Sequence, residues 1–181
     1  MAKFALFVVG ASGVGKTAAL GQLEADADFR GVCRYFDSIG VPPLEDMIRL
    51  YGSGEQWQAG ATDDWVRKIL REPAPIVILE GQTRPSFIRG AAEAHGLTHY
   101  RIVLLDCHAE VRRERLTRGR DQPELASLDM NSWAAYLRGQ ADALRLPIID
   151  TSHLSLAEVA SRVREQALEV DPKCFLTGVS S

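Results

Sequence analysis

The feature that most constrains this chain is a junction near its start. Six apolar residues, Phe4-Ala5-Leu6-Phe7-Val8-Val9, run directly into Gly10-Ala11-Ser12-Gly13-Val14-Gly15-Lys16-Thr17. An Ala- and Leu-rich stretch then follows from Lys16 to Ala27. An unbroken apolar run suits a strand covered on both faces. The second segment fits G-x-x-x-x-G-K-[ST], with the strand before it and the helix after it that the motif requires. Glycines let successive backbone N–H groups converge on phosphate oxygens, and the helix N-terminus adds partial positive charge. Gly10, Ala11, Ser12, Gly13, Val14 and Gly15 are thus expected to cradle a triphosphate, with Ala18 in the first turn of the helix beneath. Lys16 can reach the β- and γ-phosphates. The Thr17 hydroxyl is a hard oxygen donor suited to Mg²⁺. The dinucleotide fingerprint G-x-G-x-x-G does not fit this spacing.

The rest of the chain repeats the alternation of buried strand and amphipathic helix, which implies a parallel sheet wrapped by helices. Residues 76–79 and 102–105 are further continuous apolar runs, while 32–36 and 147–150 are weaker strands. Leu44, Met47, Ile48 and Tyr51 make one helical face behind Pro42-Pro43. Thr62 is expected to cap a helix whose first turn carries Asp63 and Asp64. Trp133, Leu137, Ala141 and Leu144 form another stripe, and Ser155 with Glu158 reads as a capping box. No repeat or linker interrupts the pattern, so residues 1–170 read as one domain and 171–181 as a tail.

Charge and cysteine usage narrow the function. The 181 residues include 21 Lys+Arg against 24 Asp+Glu, a net charge of −3. That mildly acidic balance gives no global electrostatic case for nucleic acid. No apolar run is long enough for a transmembrane helix, and the apolar start leads into the glycine loop instead of a cleavage site. Three cysteines without a C-x-x-C pair suit free thiols in a reducing cytoplasm. His95 and His99 form no H-E-x-x-H, so a metal-binding histidine pair is not expected.

Several charged residues fall where a phosphate-handling site needs them. Glu80, directly after the run 76–79, stands at the carboxyl end of a buried strand, where an acid can hold Mg²⁺ directly or through water. Its other reading is a cap on the next helix. Arg84 lies just beyond, in the crevice outside the strand ends, unless it is a plain surface arginine. Arg112, Arg113, Arg115, Arg118 and Arg120 crowd one helix end and the loop after it. Phosphoryl transfer needs such cations, although a solvated face is a real alternative. Arg138 lies off its helical stripe and can face the same cleft. Asp37, after the weak second strand, is placed either to accept a proton from an attacking hydroxyl or to make an Asx-turn before Gly40.

Together these residues resemble the nucleoside-monophosphate-kinase branch of the P-loop kinases, over residues 3–168. Glu80-Gly81-x-x-Arg84 is similar to the Asp-Gly-x-x-Arg segment of adenylate kinases, where the arginine grips the acceptor phosphate. Arg115 with Arg118 and Arg120 resembles the arginines at the base of the lid, and Arg138 a later lid arginine. Asp150-Thr151-Ser152 followed by a capped helix is similar to gluconate and shikimate kinases, where this segment lies near the adenine. The resemblance implies a P-loop nucleoside triphosphate hydrolase fold. This is a three-layer α/β/α sandwich with a five-stranded parallel sheet in the order 2-3-1-4-5. It implies ATP and Mg²⁺ as cofactors, an acceptor-binding flap over 41–61 and a short lid over 118–130. Lys16, Asp37, Arg84, Arg115, Arg118 and Arg120 become the candidate catalytic residues, Thr17 and Glu80 the metal side, and Arg138 a nucleotide contact. The expected partners are ATP and a small-molecule acceptor, a nucleotide or a hydroxyl-bearing metabolite, for a monomer or a homodimer. An ATP-binding switch with slow hydrolysis is the alternative. A GTPase is disfavoured, because no N-K-x-D-type segment is present.

Overall fold

The computed structural model describes residues 3–119 and 121–175. Five parallel strands make one sheet in the order β2-β3-β1-β4-β5. They are β1 Phe4–Val9, β2 Val32–Tyr35, β3 Ile76–Gly81, β4 His99–Asp106 and β5 Ile148–Asp150. Among the described residues seven α-helices cover the two faces: α1 Lys16–Glu24, α2 Leu44–Tyr51, α3 Gly54–Arg71, α4 Pro85–His95, α5 Ala109–Glu114, α6 Leu128–Ala143 and α7 Leu156–Val170. Among the described residues no helix is long and apolar enough to cross a membrane.

Strand alternation builds two cores. Ala5, Phe7 and Val9 of β1, with Val77 and Leu79 of β3, pack against α3, α4 and α6. Leu6, Val8, Ile76 and Ile78 point the other way, toward α1 and α7. Each central strand is therefore apolar on both faces, which is why the sequence shows runs there and not alternation. Fully burying one such side chain contributes about 1.5–3 kcal/mol, so the central strands hold the carboxyl edge of the sheet rigidly. Register then aligns the chemistry, since Val8 pairs with Glu80, Val9 with Gly81 and Tyr35 with Glu80.

A local expectation changes. Thr62 is not a cap. The helix begins at Gly54, where the Ser53 side chain accepts a hydrogen bond from the Gln56 N–H, and runs through Thr62 to Arg71. Trp57, Ala61 and Trp65 recur at four-residue spacing on its buried face, and packing that stripe favours one continuous helix. Thr62, fully buried, donates its hydroxyl to the Gln58 carbonyl at 2.7 Å. Its oxygen also lies 2.7 Å from the Thr83 hydroxyl. With the Thr62 proton directed at a carbonyl, Thr83 must be the donor of that second bond. Thr62→Val leaves the Thr83 donor buried and unpaired. It is expected to cost about 1–3 kcal/mol, read as a lower midpoint in urea denaturation with an unchanged slope.

The stretch 41–61, expected as helix and flap, is made of α2 and the first half of α3, with Gly52 in the left-handed conformation capping α2. Its Trp57 is 9% exposed and packs edge-on against Phe36. Leu44, Ile48 and Tyr51 of α2 remain exposed. At the far end, packing continues past α7. Cys174 and Phe175 are buried, and Phe29 bridges to Phe175. Residues 176–181 of the expected tail lie outside the described residues.

Candidate active site

The phosphate loop leaves β1 at Gly10 and enters α1 at Lys16. Gly13 and Gly15 have φ of +84° and +100°, which side-chain-bearing residues rarely adopt. Gly13 is also crowded, since a methyl group there would lie 3.0 Å from Arg112 Cγ and Leu116 Cγ. Arg112 thus sits directly against the loop. It is 4% exposed and donates to the Cys107 carbonyl and to Asn131 Oδ1. Of the arginine cluster it supports the loop from inside, a role that residue type and spacing did not separate from that of its neighbours.

Lys16 is buried, with Nζ 3.0 Å from the Ala11 carbonyl and 4.0 Å from Glu80 Oε2. The Thr17 hydroxyl donates to Glu80 Oε1 at 3.0 Å. One carboxylate therefore faces both the loop lysine and the loop hydroxyl. Thr17 itself is exposed and Glu80 is 8% exposed. This tests the expected Mg²⁺. Two hard oxygen donors converge beside a loop shaped for phosphates, which fits an ion that keeps several waters and takes its remaining ligands from substrate phosphates. Among the described residues no cluster of three His, Cys, Asp or Glu side chains forms a metal cage, so the protein supplies only part of such a shell.

Backbone anchoring fixes the neighbouring acid. The Trp65 indole N–H donates to the Phe36 carbonyl at 3.0 Å, and Asp37 is the second residue of the short 3₁₀ turn Phe36–Ile39 after β2. Gly81 makes room for this turn, because a methyl group there would lie 2.5 Å from Phe36 Cβ. Asp37 is exposed at the carboxyl edge of the sheet.

Arg84 is well placed. Its side chain is 17% exposed, and its guanidinium carbon lies 5.2, 5.0 and 5.5 Å from the ring centres of Phe87, Trp133 and Tyr136. The last two rings stack on one another. NH1 donates to Gln58 Oε1 at 2.6 Å, and NH2 lies 3.6 Å from the exposed Glu55. Its Nε–H is buried without a hydrogen bond. A guanidinium whose one carboxylate neighbour is distant and solvated is suited to an added anion.

The other arginines separate. Arg115 opens a π-helical turn, Arg115–Gly119. It donates to both the hydroxyl and the carbonyl of Thr151. Thr151 is fully buried and donates its own hydroxyl to the Val14 carbonyl of the loop. The turn after β5 is tied down by hydrogen bonds from the Ser152 hydroxyl and N–H, which hold the Asp150 carboxyl below its usual range. Beside this contact lies a cavity of about 400 Å³, walled by Val14, Ala18, Arg115, Leu154, Leu156 and Val159. It is mainly apolar and flanks the loop. Arg118 is not brought to the loop: its side chain is 82% exposed and reaches back to Glu114. Arg120 lies outside the described residues. Arg138 stands at the carboxyl end of β4, 3.4 Å from Asp106 and 3.4 Å from Asp142, and does not line that cavity. The thiols are free and buried. Burial, reinforced by Glu24, pushes Cys33 up to about 12, and burial raises Cys107 and Cys174 as well, so these cysteines are poor nucleophiles.

Three residues escaped the sequence. Gln82 Nε2 donates to Ser12 Oγ at 3.0 Å, Gln58 joins α3 to Arg84, and Tyr136 completes the aromatic wall. Only the nearness of Gln82 to Glu80 was a signal. Gln58 and Tyr136 are brought in by helix packing across large sequence distances.

No protein-family model matches the sequence, and no curated protein resembles it closely enough to count as a match. Solved structures do match. A gluconokinase from Sinorhizobium meliloti 1021 superposes with a TM-score of 0.62 at 16% identity, over 94% of this chain and 95% of that one. Shikimate kinase from Acinetobacter baumannii, in complex with shikimate, gives 0.61 at 14% identity, over 93% and 95%. An unliganded sugar kinase from Janibacter sp. HTCC2649 gives 0.61 at 15% identity, over 97% and 99%. The fold is thus a three-layer α/β/α sandwich with its five strands in the order 2-3-1-4-5, shared with these kinases.

Proposed function

We propose that this chain is an ATP-dependent phosphotransferase that moves the γ-phosphoryl group to a small-molecule acceptor. The observation that carries this reading is the Glu80 carboxylate, set 3.0 Å from Thr17 Oγ1 and 4.0 Å from Lys16 Nζ. Four residues on, Arg84 is held in an aromatic wall with only a distant, exposed carboxylate beside it. One side of the site thus suits a triphosphate and the other an anionic acceptor. Lys16 holds the β- and γ-phosphates, and the apolar cavity beside Arg115 takes the base. Thr17 and Glu80 would hold Mg²⁺, which when bound neutralises charge on the phosphates. Arg84 orients the acceptor. Arg118, together with Arg120, is a lid residue in this reading, and Arg118 reaches the phosphates only when residues 118–130 fold over the loop. Such closure also excludes water and limits wasteful hydrolysis.

The acceptor is either a phosphate, already anionic and needing no base, or a hydroxyl, which needs one. Asp37 is the base in the second case. Asp37→Asn is then expected to lower kcat about 10²–10⁴-fold for a hydroxyl acceptor, and to leave it nearly unchanged for a phosphate acceptor. Steady-state rates with the identified acceptor distinguish the two. The test of the function itself is γ-phosphate transfer from Mg·ATP across a panel of acceptors. The panel holds nucleoside monophosphates, sugars and sugar acids, aminoglycoside and phenicol antibiotics, and short oligonucleotides. A labelled product in one class establishes the kinase, whereas tight ATP binding with no transfer to any member favours a nucleotide-binding switch.

A further inference from the structure

We propose that Gln58 and Gln82 are positioning residues that register the Arg84 guanidinium against the phosphate loop, so that nucleotide binding at the loop sets the geometry of the acceptor side. The inference rests on the reading of the loop as a nucleotide site. Three hydrogen bonds make the connection. Gln82 Nε2 donates to Ser12 Oγ at 3.0 Å, Gln58 Nε2 donates to the Gln82 carbonyl at 3.4 Å, and Arg84 NH1 donates to Gln58 Oε1 at 2.6 Å. The links join the phosphate loop, the segment after β3 and helix α3.

The chemistry of each group fixes the direction. Arg84 offers only donors and the Gln82 carbonyl only accepts, so the Gln58 amide has one orientation that satisfies both. Flipping it would set N–H against N–H and oxygen against oxygen. The aromatic rings hold the plane of the guanidinium, but attraction to a ring face has no in-plane direction, and the carboxylate of Glu55, 3.6 Å from NH2, is exposed. The Gln58 bond supplies that direction. At the other end, Gln82 fills a lone pair of Ser12 Oγ, which leaves the Ser12 proton for a phosphate oxygen. Ser12 is 8% exposed, so a shift of its hydroxyl toward phosphate is passed to Gln82 and not dissipated in solvent.

The arrangement is testable without knowing the acceptor. Trp133 lies against Arg84 and serves as the reporter. The full chain is titrated with Mg·AMP-PNP, with binding read by calorimetry and the response by tryptophan emission. Trp133→Phe identifies the Trp133 share of the signal against Trp57 and Trp65. In the unsubstituted protein, binding is expected to shift Trp133 emission. Gln58→Met, which does not touch the phosphate loop, is expected to bind the nucleotide within about threefold of the parent yet lose most of that shift, while Gln82→Ala, which removes the partner of Ser12 Oγ, is expected to bind more weakly and to lose the shift at saturation. Gln58→Glu keeps an acceptor for Arg84 but sets an oxygen against the Gln82 carbonyl. It is expected to lose the shift too, which a merely structural role for Gln58 would not produce. A full Trp133 shift in Gln82→Ala or Gln58→Met overturns the proposal, as does an unmoved Trp133 at saturation in the parent. Absence of AMP-PNP binding by calorimetry overturns the nucleotide reading itself and the proposal with it, a failure visible before emission is consulted.

Discussion

Lys16→Ala is expected to abolish phosphoryl transfer, lowering kcat by about 10³-fold or more. The lysine is 7% exposed, and its ammonium sits between the Ala11 carbonyl and Glu80. It is therefore already desolvated, and a charge held in a site of low polarity acts more strongly on developing phosphate charge than the same charge in water. Truncation also leaves the Glu80 carboxylate buried beside an empty space, so some loss of stability accompanies the loss of rate. Lys16→Met keeps the apolar stem and separates the two effects. It is expected to melt above Lys16→Ala, because the packing is kept and only the charge partner of Glu80 is lost, and to show the same loss of transfer. Initial rates on the responding acceptor, with circular dichroism melts of both variants, check this. Transfer by Lys16→Met within tenfold of the parent would show that the reacting phosphates lie elsewhere.

Glu80→Gln is expected to lower kcat about 10²–10³-fold, with a raised Mg²⁺ requirement. The substitution is nearly isosteric. The new amide still offers an oxygen to the Thr17 hydroxyl, so the loop keeps its shape. What disappears is the negative charge facing Lys16 and a strong ligand on the metal side. Two measurements together identify the cause: a Mg²⁺ titration of the rate, and the KM for ATP at saturating Mg²⁺. A drop in rate that saturating Mg²⁺ reverses assigns Glu80 to metal binding. A drop that persists assigns it to the orientation of Lys16. An unchanged rate at all Mg²⁺ concentrations removes Glu80 from the site and restores its reading as a structural carboxylate.

Part of this site was legible because its residues are close in sequence. Gly10 to Thr17 is continuous, and backbone conformation alone sets its shape, so residue type and spacing identify it. Glu80 was readable for a related reason: a buried strand announces itself as an apolar run, and the residue that follows must emerge at the sheet edge. Thr62 shows how local signals mislead. Thr-Asp-Asp has the chemistry of a helix start, yet Ser53 and Glu55 offer another start upstream. The choice between them was made by Trp57, Ala61 and Trp65 finding the sheet, which no local pattern reports.

The arginines mark the same boundary. From composition, Arg112, Arg115 and Arg118 are equivalent cations on one short segment. In the fold, Arg112 is buried against Gly13, Arg115 is held by Thr151 beside the apolar cavity, and Arg118 points back to Glu114. A π-helical turn at Arg115–Gly119 rotates successive side chains differently from an α-helix, so helical spacing could not assign their directions. The sequence alone therefore determined the loop, the buried parallel strands and the acid at the strand end, because backbone geometry and burial on both faces are written in neighbouring residues. Which arginine faces the cleft, and which glutamines join Arg84 to the loop, was decided only by tertiary packing. Those contacts span tens of residues, and their partners are fixed by where whole helices come to rest on the sheet.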